Sequence, residues 1–358
     1  MTTIRGPVTA VPRRQSAPAA RDAYWDNVRF LAIALVVVGH GVESQSNSRA
    51  MYALYLFVYA FHMPLFALAS GVFARAEPLT RREGGKIFVT LLVPYVVFSV
   101  IWTVARALSG DRLVLDLGNP YWHLWFLTAL AAWRLSLPVL SSLRGPLLWA
   151  AAIAVGSGYA ATVGWRFDAS RTMGFLPFFV LGWQVQQRGG WEQLRALGDR
   201  TAGRAISALV LVVAAAACWL GTDLARGLDL RAWVLLERNY ADLPAPAWAA
   251  GGGRLLQMLL ATALCAAVLV LVPRWEGRVS RWGRATLYVY LLHLFPVFVL
   301  RRADWLVDEL ATGLGQVLLV SAAVALAVAL STRPVIWATR WLVEPPWARR
   351  LVARDARS

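Results

Sequence analysis

Cysteine is nearly absent from the chain. Cys218 and Cys265 are the only two, and both sit inside apolar stretches, where a free thiol behaves as a small hydrophobe. They imply neither a disulfide framework nor a thiolate metal centre. No P-loop, HExxH or GxSxG motif is present, nor an internal repeat, which removes the common soluble routes to phosphoryl transfer, zinc proteolysis and serine hydrolysis. Residues 1–22 are rich in Pro, Ala and Arg but have no apolar run. That composition implies a disordered basic cytoplasmic tail that is not cleaved, rather than a signal peptide.

Apolar length is what the chain has in abundance. With 58% hydrophobic residues, mean hydropathy +0.53 and 18 Trp in 358 residues, it carries more apolar surface than one soluble core can hide. Stretches of spanning length fall near 28–44, 51–74, 87–108, 121–142, 146–164, 172–187, 204–221, 254–273, 285–300 and 314–331. The expected fold class is all-α: a polytopic integral membrane helical bundle of about ten transmembrane helices. Residues 23–335 would form the membrane domain and residues 336–358 a basic cytoplasmic tail.

The net charge of +16 is placed loop by loop. Basic residues crowd the N-terminal tail (Arg5, Arg13, Arg14, Arg21), the loop after the second span (Arg75, Arg81, Arg82, Lys86), that after the sixth (Arg188, Arg195, Arg200), that after the eighth (Arg274, Arg278, Arg281), and the C-terminal tail. In the alternate loops acids balance or exceed bases: Glu43 with Arg49, Asp111 with Asp116, Asp168, the Asp223–Asp242 loop, and Asp304, Asp308 and Glu309. The positive-inside rule then puts both termini in the cytoplasm, the same parity that ten spans require. Topology and anionic lipid headgroups explain the basic balance better than nucleic acid does, so no nucleic-acid partner is expected. A multi-pass protein of the cell membrane is implied.

One stretch stands apart. In RFLAIALVVVGH, Arg29 and His40 are separated by ten residues that are apolar or glycine. Eleven steps of about 100° return a helix to within roughly 20° of its starting azimuth with a rise of about 16 Å. The two therefore share a face, one at the basic boundary and the other half way or more across a hydrocarbon core of about 30 Å. Ionisable groups at such depth are costly and commonly mark a substrate path or reaction site. The alternative is a snorkelling boundary Arg and a structural His bonded to a neighbouring helix.

All four histidines lie in or at the end of apolar spans: His40, His62 in FHMPLFALASG, His123 in YWHLWFL and His293 in LYVYLLHLFP. A neutral buried imidazole suits proton exchange near neutral pH. Structural readings compete at each of the other three. His62 precedes Pro64, which frees a backbone carbonyl one turn back, while His123 and His293 lie among aromatics of the kind found at membrane interfaces.

At these residues the chain resembles the membrane acyltransferase 3 superfamily and, within it, the fucose 4-O-acetylase-like acetyltransferases. The resemblance rests on RDAYWDNVRFLAIALVVVGHGVE, FHMPLFALASGVF, YWHLWFLTALAAWR, DASRTMGFLPFFVLGW and RATLYVYLLHL, in that order. Arg29 and His40 match its R-x10-H signature. Val72 departs from it, standing where relatives commonly have an aromatic after Ser-Gly. The chain ends soon after the last span without the hydrolase-like domain of some relatives, so acceptor choice is expected within the membrane domain and its outer loops.

The resemblance implies acyl transfer, usually of acetyl from acetyl-CoA, to a hydroxyl of a sugar or glycan. No bound cofactor is expected; acetyl-CoA or another acyl-CoA is a co-substrate. A hydroxyl attacking a thioester must lose its proton, and His40 is the candidate general base. CoA phosphates need cations at the inner boundary, where Arg29, Arg75, Arg81 and Arg82 stand; an ordinary positive-inside loop is the competing reading of that cluster. Arg171, beside Asp168 at an outer boundary, either orders a loop or holds the acceptor. Tyr121, Trp122 and Trp125 either stack on a sugar or form the interfacial belt. Arg134, inside the fourth span, needs an anionic partner or a water-filled route. His62, His123 and His293 complete the candidates for acceptor contact or support. A different class also fits the composition: a transporter or flippase in which buried His and Arg relay protons or bind an anion, although the paired broken-helix halves usual for transporters are not evident.

Overall fold

The computed structural model describes residues 22–160, 166–244 and 246–352. The predicted N-terminal tail up to Arg21 lies outside the described residues, as do Arg354 and Arg357 of the C-terminal tail. Among the described residues every regular element is helical.

Helix α1 (Ala23–Val42) starts where the Asp22 carboxylate accepts from the Tyr24 N–H at 3.0 Å, and it tightens into a 3-10 turn over Glu43–Gln45. The next span is broken into α2 (Arg49–Tyr59) and α3 (His62–Val72). Pro64 supplies no N–H to the Ala60 carbonyl and its ring crowds that group, so the helix parts just before His62. A Thr80–Glu83 capping box opens α4 (Arg81–Ile87), which passes through a π turn (Phe88–Leu92) into α5 (Val93–Leu108). Then follow α6 (Trp125–Ser142), α7 (Pro146–Gly156), α8 (Ala169–Gln187), α9 (Gly190–Asp199), α10 (Thr201–Leu220), α11 (Thr222–Gly227), α12 (Leu230–Leu235), α13 (Ala247–Leu271) and α14 (Arg278–Gly283). The ninth span is also broken, into α15 (Thr286–Leu292) and α16 (Leu294–Arg301), with His293 at the join; Pro296 cannot bond the Leu292 carbonyl. The chain closes with α17 (Asp304–Glu309), α18 (Gly313–Leu330) and α19 (Arg333–Val343).

Each of the ten expected spans is occupied by a helix. Six are long and apolar enough to cross a bilayer: Ala23–Gln45, Arg49–Val72, Arg81–Leu108, Thr201–Leu220, Trp248–Leu271 and Gly313–Leu330. Pro146–Tyr159 and Thr286–Arg301 are shorter apolar helices, while α6 and α8, 18 and 19 residues long, are interrupted by polar side chains such as Arg134 and Arg171. The chain is an all-α, multi-pass membrane bundle. Residues 161–165 of the fifth expected span are outside the described residues, and its helix proper stops at Gly156. Residues 333–343 form a helix packed against α15 and α5.

Helices α1, α2 and α3 lie at the centre, with α1 held by α14, α18 and α3. The most extensive pairing joins α3 to α8. There a Cβ added at Gly71 would strike the Phe179 carbonyl, and one added at Gly182 the Leu68 carbonyl, so two glycines let the backbones meet. Helix α10, by contrast, packs on α2 and α13 and turns most of its apolar surface outward.

The loops sort by end. Asn27 donates to the Pro273 carbonyl at 2.9 Å, Arg274 pairs with Asp199 at 2.8 Å, and Trp25 meets Trp191 and Phe73 edge-on. The basic loops after spans two, six and eight are thus gathered at one end. At the other, Arg49 pairs with Asp223 at 2.8 Å, Arg226 bonds the Asn47 carbonyl at 2.8 Å and Arg302 the Ser109 carbonyl at 2.9 Å.

Candidate active site

A large cavity of about 530 Å³ opens at the end opposite the basic loops and reaches His40. Its floor is His40, Tyr59 and His62; its walls include Trp122, Trp125 and Arg171; and its cover is the segment 229–238, which carries α12. Three arginines and three carboxylates line it, and all are paired: Arg231 with Glu43, Arg171 with Glu237 and with Asp168 at 3.5 Å, and Arg238 with Asp229 at 2.9 Å. Burial pushes the Asp168 carboxyl above its ordinary range, and Arg171 beside it pulls the other way.

Helix breaks aim the ring nitrogens. His62 begins α3, and its Nδ1 lies 2.9 Å from the Val58 carbonyl at the end of α2. A carbonyl only accepts, so Nδ1 carries the proton and Nε2 is the lone pair. His293 is fixed alike, with Nδ1 at 3.0 Å from the Val289 carbonyl and 2.9 Å from that of Tyr290. His40 is different. Its Nδ1 is buried with no hydrogen-bond partner and lies 3.8 Å from Glu43 Oε2, which leaves Nε2 as the nitrogen open to the cavity.

The His293 ring centroid is 5.4 Å from those of both His40 and His123. No group of three His, Cys, Asp or Glu among the described residues is placed to hold a metal.

Backbone strain concentrates here. The described non-glycine residues with positive φ are Trp122 (44°), Phe167 (54°), Asp168 (47°), Asp229 (45°) and Leu236 (57°). Trp122 and Asp229 line the cavity, Leu236 lies between the lining residues Leu235 and Glu237, and Asp168 holds Arg171. Left-handed backbone at bulky residues costs on the order of 1–3 kcal/mol each and persists where surrounding contacts impose it. For Trp122 those contacts are the Arg301 guanidinium, 4.1 Å from its ring centroid, and the His40 ring at 5.2 Å.

Two further cavities lie inward of the first. A constriction of about 30 Å³ shares His40, Met63 and Trp125 with the large cavity and adds His123, Phe66, Phe126 and Tyr290. The last three also line a cavity of about 190 Å³ that reaches Arg29. Arg29 bonds Asp26 at 3.1 Å and lies 4.2 Å over the Phe73 ring. Phe73 in turn lines a fourth cavity, about 230 Å³, at the basic end, together with Arg75, Glu77, Glu83, Lys86 and Arg134. Four separate cavities therefore stand in a row between the two ends, the first three sharing lining residues and the last adjoining them through the Arg29–Phe73 contact, and Arg29 and His40 line the row from one helix.

Of the residues singled out from sequence, His40, His62, Trp122 and Arg171 meet at the large cavity, His123 at the constriction, Arg29 at the middle cavity, and Arg75 with Arg134 at the basic end. Arg81 and Arg82 form the exposed first turn of α4, outside the cavity walls, and His293 lies behind His40 and His123. Sequence reasoning did not single out Glu43, Arg231 or Arg301. The only available signal was the three-residue spacing of His40 and Glu43, since Arg231 and Arg301 are brought there by long-range folding.

A family model described as an acyltransferase domain, Acyl_transf_3, matches residues 22–332. Nodulation protein NolL of Mesorhizobium japonicum is 28% identical over 230 residues, which is 58% of this chain and 59% of that protein. The matched region thus spans a little over half of the relative's length. No solved structure matches the chain.

Proposed function

Starting from a chain that belongs to the Acyl_transf_3 family of acyltransferases, we propose that it is an O-acyltransferase of the cell membrane that moves an acyl group, acetyl in the simplest case, from acyl-CoA to a hydroxyl of a sugar, glycan or glycosylated metabolite. Both termini are cytoplasmic in this reading, and the donor enters at the basic end. The observation that carries the proposal is the row of separate cavities from Arg75 and Arg134, past Arg29, to His40.

The donor's phosphates rest among Arg75, Lys86 and Arg134, whose charges suit a polyanion. Its thinner arm runs past Arg29 between Phe66, Phe126 and Tyr290, and brings the thioester to His40. The acceptor enters the large cavity, where Trp122 and Trp125 offer ring faces to a sugar. Its hydroxyl oxygen forms a bond to the thioester carbonyl carbon while His40 Nε2 takes the hydroxyl proton. The carbon–sulfur bond then breaks, and the departing CoA thiolate receives that proton.

Purified protein supplied with acetyl-CoA and a panel of alkyl glycosides tests the reading. Free CoA thiol released in proportion to an added glycoside, with the acyl mass found on that glycoside, is the expected result. Movement of a solute across vesicles without acyl-CoA consumption would favour the transporter class instead.

A further inference from the structure

Glu43 sits at the change of helix type that ends α1. The Glu43 N–H still closes an α-helical bond to the Gly39 carbonyl, and residues three apart on a helix are surface neighbours, so Glu43 lies beside His40 before the chain tightens into the 3-10 turn over Glu43–Gln45. The carboxylate does not swing freely there. Arg301, from the end of α16, holds Oε2 at 2.5 Å and reaches toward the His40 carbonyl at 3.4 Å, and Arg231, from the segment covering the cavity, holds Oε1. Three separate parts of the chain converge on one acid next to the one imidazole that reaches both the large cavity and the constriction.

We infer, resting on the acyl-transfer reading above, that Glu43 is the positioning residue for His40: its carboxylate keeps the imidazole proton on Nδ1, so that Nε2 presents its lone pair to the acceptor hydroxyl. The contrast with the other histidines supports this. His62 and His293 have their Nδ1 protons directed to carbonyls of the helix that precedes each of them, at Val58 and at Val289 and Tyr290. His40 makes no such bond, and Glu43 Oε2 is the acceptor that its buried Nδ1 faces. A carbonyl fixes a tautomer. A carboxylate fixes it and also stabilises the imidazolium that forms when Nε2 takes a proton. The separation of 3.8 Å is longer than a hydrogen bond, and contacts of this kind commonly tighten only when the reacting groups are bound.

The two arginines make the amide variant decisive. In Glu43→Gln they compete for the remaining oxygen, since guanidinium groups only donate. The amide NH2 is then left facing His40, where it forces Nδ1 to accept and moves the proton to Nε2. The chain's four histidines make this readable by nitrogen NMR of full-length protein labelled with [15N]histidine in lipid nanodiscs, the His40 signals being assigned by their loss in His40→Gln.

Wild-type protein is expected to show His40 with its proton on Nδ1. Glu43→Gln should show it on Nε2 while His62 and His293 keep theirs on Nδ1, which also reports that the fold is intact. With acetyl-CoA and the glycoside panel, kcat should fall about a hundredfold or more, with the KM for acetyl-CoA unchanged. Glu43→Asp should keep the proton on Nδ1 and recover part of the lost turnover. A wild-type His40 protonated on Nε2, or a Glu43→Gln protein that retains the Nδ1 proton, overturns the inference even if acyl transfer is confirmed. Lack of any acyl-CoA turnover by wild type overturns the acyl-transfer reading instead, and the spectra then still decide whether Glu43 fixes the tautomer.

Discussion

The cavity at the basic end and the cavity over His40 both hold arginines and carboxylates, but they use them differently. At the basic end Arg75, Lys86 and Arg134 face Glu77 and Glu83. Glu83 is engaged by the Thr80 backbone and hydroxyl at the cap of α4, at 3.1 and 2.9 Å, and no carboxylate among the described residues pairs with the three cations. Over His40, three cations and three carboxylates are matched one against another. An excess of unpaired cation attracts a polyanion. A wall of satisfied ion pairs attracts no net charge and instead offers fixed donors and acceptors beside aromatic faces, which suits a polyhydroxyl ligand. The two ends are thus built for ligands of different charge, with His40 where their paths meet.

The comparison makes substitutions at the two ends fail in different ways, and most severely at the meeting point. His40→Gln keeps polarity and approximate size but cannot accept and return a proton at neutral pH. It should lower kcat by about two to four orders of magnitude, with acyl-CoA binding retained in equilibrium dialysis. More than about a tenth of wild-type turnover would be too much for loss of a general base, and His62, whose Nε2 is also a lone pair at the cavity, would become the candidate.

Smaller effects should separate by substrate. Charge-assisted contacts to phosphate are worth about 1.5–3 kcal/mol each. Arg75→Gln with Arg134→Gln should therefore raise the KM for acyl-CoA about tenfold or more, and leave that for the acceptor nearly unchanged. Trp122→Ala should do the reverse, raising the acceptor KM roughly fivefold to tenfold through lost stacking of about 1–1.5 kcal/mol. An increase in donor KM in Trp122→Ala would erase the distinction between the ends. Arg81→Gln with Arg82→Gln should have the smallest effect, less than about threefold on either constant, because exposed cations in water add little local binding energy.

Much of this arrangement was legible in the sequence, for identifiable reasons. A span of apolar residues marks a membrane helix because hydrocarbon leaves the backbone no other partner, and all ten expected spans hold helices. The shared face of Arg29 and His40 follows from helical periodicity alone, and both line one row of cavities along α1. The alternation of basic loops correctly anticipated which loops gather at one end.

What was hidden depends on long-range contact or on a local departure from the regular helix. Residues 229–238, DLRAWVLLER, are too short to span and read as part of an outer loop, yet they cover the cavity because Arg171 and Ser170 bond the Leu235 and Leu236 carbonyls at 3.3 and 2.8 Å. In the sequence Arg134 stands out as a cation inside a span and Arg81 as one of a basic loop, but their relation to one another is not visible. Only packing shows that the first lines a cavity at the basic end and the second is solvated. Glu43 was visible as an acid three residues after His40, but nothing local indicates that α1 tightens there or that Arg301, from 258 residues away, arrives to hold it.

The central claim, that donor and acceptor reach His40 from opposite ends, is tested most directly in sealed vesicles reconstituted with the chain in one orientation, established by labelling single cysteines introduced near Arg82 and near Asp229. Acetyl-CoA is enclosed on the side of Arg82 and an impermeant glycoside is supplied only on the side of Asp229. The account predicts acylated glycoside on the Asp229 side, and none when acetyl-CoA is confined to that side as well. Product formed only when both substrates share the Asp229 side, or only when both share the Arg82 side, would contradict it.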